Sequence, residues 1–246
     1  MNMKYIVSGA LIAFGGLLAL RGFLNGVTGY INLGIAAMVI GAVILVLKPS
    51  TYVRKEALET VLNSQKAVLD GMVDSLNLEG NAVFVPPYEN LPRGGLFLPL
   101  HRDFTLDLAR LDEEVVFLTD VPNEKGMGLC LLPPGANLVE KFEEHLEGPL
   151  GSVAEAESAS SAVLRALGLA STVYIEEEEE NYRVVVRPGV RCSPEGCSRV
   201  PCPVCSSVLL ALAKATGQLI EVEGVEKKDY GIEIRGKKLG GVREWM

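Results

Sequence analysis

The apolar positions of this sequence form two long runs at its start and shorter, interrupted runs after them. Residues 5–20 and 31–47 are almost wholly apolar, and the link between them carries one charge, on Arg21. A membrane-spanning helix needs about 20 mostly apolar residues, and neither run leaves a polar face for water. A cleaved signal peptide is the alternative for the first run, but no small-residue cleavage site follows it and a second apolar run does. The pattern predicts a transmembrane helical hairpin over residues 1–50.

Charges and small residues predict the orientation and the packing of this hairpin. Lys4 precedes the first run, and Lys48, Arg54 and Lys55 follow the second. The positive-inside rule therefore predicts a cell-membrane protein whose later residues lie in the cytoplasm. Small residues at three- or four-residue spacing predict the contact between the helices; they are Gly9, Ala13 and Gly16 in the first run and Gly34, Ala37 and Gly41 in the second.

Residues 51–79 repeat their apolar positions with a helical period and place charges between them. The repeating positions are Val53, Ala57, Val61, Leu62, Val68, Met72 and Leu76. An amphipathic connector helix of this kind either packs on its own domain, which is favoured, or pairs with a second copy.

Residues 80–150 change to short β-like runs bounded by proline and glycine turns, and they predict a small mixed β/α region. The runs cover residues 82–85, 96–100, 115–119 and 128–132, and a helix is predicted over 137–146.

Residues 151–246 contain an internal repeat of a helix followed by a β-hairpin. In the first copy a helix to residue 167 ends at Gly168, and strands follow at 172–176 and 182–187. In the second copy the helix 203–216 ends at Gly217; strands follow at 219–222 and 230–235, joined by a charged turn at 226–229. The alternative is coincidence, since this local arrangement is common. Two such units predict a four-stranded antiparallel sheet with both helices on one face, so the soluble part is α+β.

Four cysteines lie close together in the segment RCSPEGCSRVPCPVCSS, which covers residues 191–207. They are Cys192, Cys197, Cys202 and Cys205. The Cys-Pro-Val-Cys turn directs two thiolates at one tetrahedral ion, and Cys192 with Cys197 supplies two more. This set predicts a structural zinc site, although the link between the two pairs is shorter than in zinc ribbons.

Three other chemistries compete for the same cysteines. Structural disulfides are the main rival, but they are uncommon in the cytoplasm outside hyperthermophiles. An iron–sulfur cluster fits the close spacing but no standard ferredoxin pattern. A dithiol redox pair at Cys202 and Cys205 would gain from the helix that follows, because a helix N-terminus lowers the pKa of a thiol.

Other sequence features remove several classes of function. Phosphate-loop, zinc-protease, serine-hydrolase and dinucleotide-binding motifs are missing, while Cys130, His101 and His145 are interpreted as structural or solvent-facing.

The first 48 residues carry a charge of +3 and no acidic residue, so the net charge of −8 leaves −11 on the remainder of the chain. That acidic remainder disfavours nucleic acid as a partner. Scarce glutamine beside abundant Glu and Lys indicates a heat-adapted source.

The soluble part resembles a family of uncharacterised, membrane-anchored archaeal proteins. Three segments carry the resemblance: NAVFVPPYENLPRGGLFLPLH at residues 81–101, GMGLCLLPPGANLVEKFE at 126–143 and PVCSSVLLALAKATGQLIEV at 203–222. The resemblance implies an archaeal source and a shared fold, and it transfers no site residues.

These observations favour a non-catalytic scaffold or interaction protein that is anchored in the membrane and carries a loop stabilised by zinc or disulfides. Its expected partners are the lipid bilayer and other membrane proteins or a second copy. The alternative function is a membrane-tethered thiol redox or electron-transfer protein that uses the cysteine cluster.

Overall fold

The computed structural model describes residues 3–46, 54–192, 194 and 196–246, without the side chains of Met3 and Lys4. The described chain forms two compact units, divided between Val53 and Arg54. The predicted stop of the second apolar run at Lys48 and the start of the connector at residues 51–53 lie outside the described residues.

The first unit is a hairpin of two helices. Helix α1 covers Met3–Leu24 and helix α2 covers Thr28–Val46. Gly26, between them, has φ +66°, a left-handed conformation that glycine adopts without strain. Both helices are long and apolar enough to cross a membrane, judged by their length and composition.

Close helix–helix contact in the hairpin uses the predicted residues of α2 but a different face of α1. A Cβ atom on Gly34 would lie 2.5 Å from the Gly15 carbonyl oxygen, and one on Gly41 would lie 2.7 Å from Ile12. In contrast, a Cβ on Gly9 or Gly16 would have no atom within 4 Å, so the predicted α1 contact was wrong. The α1 residues that contact α2 and the α1 residues predicted to do so are one residue apart and have the same spacing, so spacing alone could not distinguish them.

The second unit is one eight-stranded sheet with four helices, so the predicted α+β fold is confirmed. All strand pairs are antiparallel, in the order β3-β4-β2-β1-β7-β8-β6-β5. The strands are β1 Val83–Val85, β2 Gly95–Pro99, β3 Phe117–Leu118, β4 Gly128–Leu131, β5 Ala170–Glu177, β6 Asn181–Pro188, β7 Gln218–Lys228 and β8 Gly231–Gly241. The helices are α3 Lys55–Ser75, α4 Ala136–Leu146, α5 Val153–Ala166 and α6 Pro203–Thr216.

The repeated helix–hairpin units lie side by side as predicted, joined where β6 pairs with β8. Helices α5 and α6 contribute to one core with the inward residues of these strands. The second hairpin is longer than its apolar pattern indicates, because Glu226–Lys228 remain in β7 instead of forming the turn. β7 also pairs with β1, which joins the strands of residues 83–131 to the repeat.

Helix α3 packs on its own domain, as favoured, but through a different face from the predicted one. Leu58, Leu62 and Leu69 contact the main core, and Val73 is buried within it. Val61 and Val68 are each 64% exposed. Leu62 was among the predicted positions, whereas Leu58, Leu69 and Val73 each lie one residue after a predicted one. Packing of this face on the core therefore holds α3 next to the cysteine segment of residues 191–207.

Candidate metal centre at the start of helix α6

Two local features bring the cysteine segment back on itself. The chain leaves β6 at Pro188 and makes a turn in which the Val200 amide donates to the Gly196 carbonyl at 2.8 Å. Gly196 has φ +70°, a conformation that would strain a residue with a side chain. The chain then enters α6 through Cys202 at the N-cap and Pro203 in the first turn, where proline is favoured.

The cysteine side chains converge at this junction. The Sγ atoms of Cys192, Cys202 and Cys205 all lie within 4.8 Å of one another, and those of Cys192 and Cys202 are 3.2 Å apart. Cys197, which is 1% exposed, shares a side-chain hydrogen bond with Cys192. Cys202 and Cys205 lie nearly one helical turn apart, which directs both sulfurs to the same side of α6.

The sulfur separation distinguishes a thiol cluster from a disulfide. The S–S bond of a disulfide is about 2.05 Å long, so Cys192 and Cys202 are not bonded, and none of the five cysteines is part of a disulfide. Four thiolates around one zinc ion, with Zn–S near 2.3 Å, would lie about 3.8 Å apart. A tetrahedral site therefore requires Cys192 and Cys202 to separate by only a few tenths of an ångström. Soft sulfur donors of this kind suit zinc or iron rather than magnesium or calcium.

Hydrogen bonds within the cluster shift its pKa values in opposite directions. The pKa of Cys202 is held well below its usual range by the thiols of Cys192 and Cys205, and the backbone N–H groups of Cys205 and Val204 act in the same direction. The hydrogen bonds of Cys192 with Cys197, Cys202 and Cys205 raise its own pKa. The cluster thus favours a thiolate at Cys202, the form that binds a metal ion.

Helix α3 supplies the polar surroundings of the cluster. Lys66 Nζ donates to the Val200 carbonyl at 3.1 Å, and Glu59 Oε1 accepts from the Arg191 amide at 2.8 Å. Arg199 forms an ion pair with Asp74 at 3.1 Å. These α3 residues could not be identified from the sequence, because no local pattern links a charged position in a helix to a loop that lies much later in the chain.

The other candidate residues lie elsewhere. Cys130 belongs to a separate apolar cluster, and burial together with the charge of Asp112 raises its pKa to about 12. His101 is half-buried and His145 is exposed near the end of α4. Across the described part of the chain, the cysteines form the one group of potential metal ligands whose donor atoms come this close.

Comparison with known proteins gives one match. The family model described as "Domain of unknown function (DUF7982)" matches residues 6–235, which include both units and all four clustered cysteines. No curated protein and no solved structure matches the chain significantly.

Proposed function

This chain belongs to the family of the domain of unknown function DUF7982, and we propose that it is a membrane-anchored interaction protein. In this proposal, a zinc ion bound by Cys192, Cys197, Cys202 and Cys205 stabilises the fold of its cytoplasmic unit. The convergence of Cys192, Cys202 and Cys205 at the start of α6, with Cys197 hydrogen-bonded to Cys192, is the observation that carries the proposal.

The zinc ion is assigned a structural role because of its ligands. Four protein sulfurs fill a tetrahedral coordination sphere, which leaves no position for a substrate. Cys197 and Cys205 are each 1% exposed, so these two side chains are closed to solvent, while Cys192 and Cys202 are half-buried. A centre of this kind stabilises the polypeptide around it, here the segment between β6 and α6.

Membrane anchoring and a cytoplasmic location complete the proposal. The two apolar helices support the anchor, and the excess of Lys and Arg outside the link supports the orientation. A reducing compartment would also keep the cysteines available for metal. An archaeal, heat-adapted source is part of the same proposal, supported by the three resembling segments and the composition.

The proposed partners are the bilayer and either other membrane proteins or a second copy of this chain. The exposed valines Val61 and Val68, on the outer side of α3, support a protein contact. The −11 charge of the chain after residue 48 supports the exclusion of nucleic acid.

Metal analysis with thiol titration tests this function. The full chain is purified in lipid nanodiscs under anaerobic conditions, and its zinc content and reactive thiols are measured together. We expect about one zinc ion per chain, no reactive thiol in the cluster, and loss of zinc in Cys205→Ser. Cys130→Ser is the matched control and should keep its zinc. Anaerobically prepared protein that has no metal and two disulfides would overturn the proposal.

A second candidate function, thiol redox transfer, is favoured by the position and pKa of Cys202. This residue is partly exposed, it lies at the N-cap of α6, and its pKa is lowered chiefly by hydrogen bonds from neighbouring thiols. Its thiolate would attack a disulfide of an oxidised partner, and Cys205 would then displace the reduced partner, leaving a Cys202–Cys205 disulfide. A reversible two-electron disulfide in metal-free protein would support this function and remove the zinc proposal.

A further inference from the structure

The described residues of the loop 189–202, which are all but 193 and 195, contact helix α3 over most of its length. The backbone amide of Arg191 donates to the Glu59 carboxylate. The Val200 carbonyl accepts from Lys66, and Arg199 forms an ion pair with Asp74. The three α3 positions span about 22 Å along the helix axis, at 1.5 Å per residue. The cysteine loop is therefore the element that covers one side of α3.

Lys66 has the least exposed side chain of these three α3 residues. Its side chain is 13% exposed, which is low for a lysine, and its amino group also pairs with Asp70 at 3.1 Å. A Cβ on Gly196 would lie 3.5 Å from Lys66 Nζ, so the ammonium group lies against the turn that carries Cys197.

We propose that Lys66 is a positioning residue of the metal centre, and that metal binding in turn strengthens the attachment of α3 to the cysteine loop. The inference rests on the proposed function for the metal ion itself. It goes beyond that function by assigning a residue outside the cysteine motif and a structural response to the metal.

The charges of the centre give the physical reason. Four thiolates with one Zn²⁺ carry a net charge of about −2, whereas the metal-free cluster, with most of its thiols protonated, is less negative. A partly buried ammonium group beside the centre stabilises the more negative form more strongly. Lys66 also holds the Val200 carbonyl, and residue 200 lies two residues before the ligand Cys202. Removing the charge should therefore weaken metal binding both electrostatically and through the position of the loop.

Thermodynamic linkage requires the reverse effect. If the docked Lys66 raises the affinity for zinc, then zinc must favour docking of Lys66 by the same factor. Residues 47–54 connect α2 to α3 in the chain, so α3 is the first described element after the membrane hairpin. Loss of metal would thus loosen the segment by which the soluble unit is attached.

Lysine substitutions in the full chain, in nanodiscs, test the inference. Zinc affinity is measured by competition with a chromophoric chelator for wild type, Lys66→Met, Lys66→Arg and Lys141→Met. Lys141 is the control, since it is exposed and pairs with Glu144 on α4. We expect Lys66→Met to weaken zinc binding by about 10–100-fold, Lys66→Arg to restore most of the affinity, and Lys141→Met to change nothing. The Co²⁺ complex of Lys66→Met should keep its thiolate charge-transfer bands.

Hydrogen exchange of wild-type α3 is the second measurement, and it is independent of whether any variant folds. Chelation should speed exchange of the α3 amides while the amides of β6 and β8 stay protected. Unchanged exchange in α3, or a Lys66→Met affinity within about twofold of wild type, would overturn the inference alone. Failure of the wild type to bind zinc or cobalt would overturn the proposed function with it.

Discussion

Gly15 and Gly34 face each other across the helical hairpin so closely that a Cβ on Gly15 would lie 2.7 Å from the Gly34 carbonyl oxygen. The neighbouring Gly16 faces away, and a Cβ there would meet no atom within 4 Å. Ser8 donates a hydrogen bond to the Gly41 carbonyl at 2.8 Å on the same contact face. The adjacent residues Gly15 and Gly16 therefore give a matched pair of positions for testing the packing of the hairpin.

Gly15→Leu should separate the two helices, whereas Gly16→Leu should be tolerated. Overpacking of a close contact costs about 1–3 kcal/mol, and the nearest obstacles at Gly15 are backbone atoms that cannot rotate away. Thermal unfolding in detergent, followed by circular dichroism, measures the effect. Equal midpoints for the two variants would contradict this packing of α1 on α2.

Helix α3 offers a similar comparison in the second unit. Leu62→Ala should destabilise this unit by about 2 kcal/mol, because Leu62 packs on the main core. Val61→Ala should change its stability by less than about 0.5 kcal/mol, because Val61 is mostly exposed. Urea unfolding of both variants compares the two faces. If Val61→Ala proves the more damaging, the buried face of α3 has been misassigned.

Cys130 should resist alkylation in the folded protein. Burial and the charge of Asp112 raise its pKa to about 12, so it holds no reactive thiolate at about pH 8. Iodoacetamide labelling with mass spectrometry should modify Cys130 only after unfolding. Rapid labelling of the native protein would contradict its burial.

The same thiol should make stability depend on alkaline pH. An unfolded cysteine has a pKa near 8.5, so the folded state keeps a proton that the unfolded state loses. The stabilising contribution is complete below about pH 8.5 and is lost as the pH rises towards 12. Urea midpoints between these limits should fall more steeply in wild type than in Cys130→Ala. Parallel slopes would show that other groups control the dependence.

The outer edge of β5 should associate with other chains when the side chains that cover it are removed. β5 ends the sheet, and the Glu157 carboxylate of α5 accepts from its Ile175 amide at 2.7 Å. Arg165 donates in the same way to the Ser171 carbonyl at 2.9 Å. Glu157→Ala would expose an edge amide that can pair with another strand. Light scattering should then show concentration-dependent association, which the surface control Glu179→Ala should not produce.

Local patterns predicted most of the helices and strands correctly, because their signals lie within a few residues. Gly168 and Gly217 mark the ends of α5 and α6, and both have positive φ near 70°. The predicted strands at 172–176 and 182–187 lie within β5 and β6, which form the expected hairpin. Such signals depend on backbone geometry and burial period, both of which can be read from one segment at a time.

Contacts between distant segments could not be predicted in the same way. Phe84 of β1 lies opposite Ile220 of β7, and nothing in either segment specifies the other. In α1 and α3 the apolar residues allow two helical faces, and the buried one is selected by the partner surface. The spacing of the cysteines in the sequence was enough to predict the four members of the cluster. The position of Lys66 beside the cluster depends on where α3 packs, and the spacing of residues in the sequence does not specify that.

The pairing of β1 with β7 has a consequence for synthesis on the ribosome. Until Ile220 and Glu221 have been translated, β1 can pair with β2 but lacks its second neighbour in the sheet, β7. The strands of residues 83–131 must therefore wait for β7 to emerge before the sheet can close. We expect nascent chains stalled before β7 to be readily digested by protease, and chains extended past β8 to resist it.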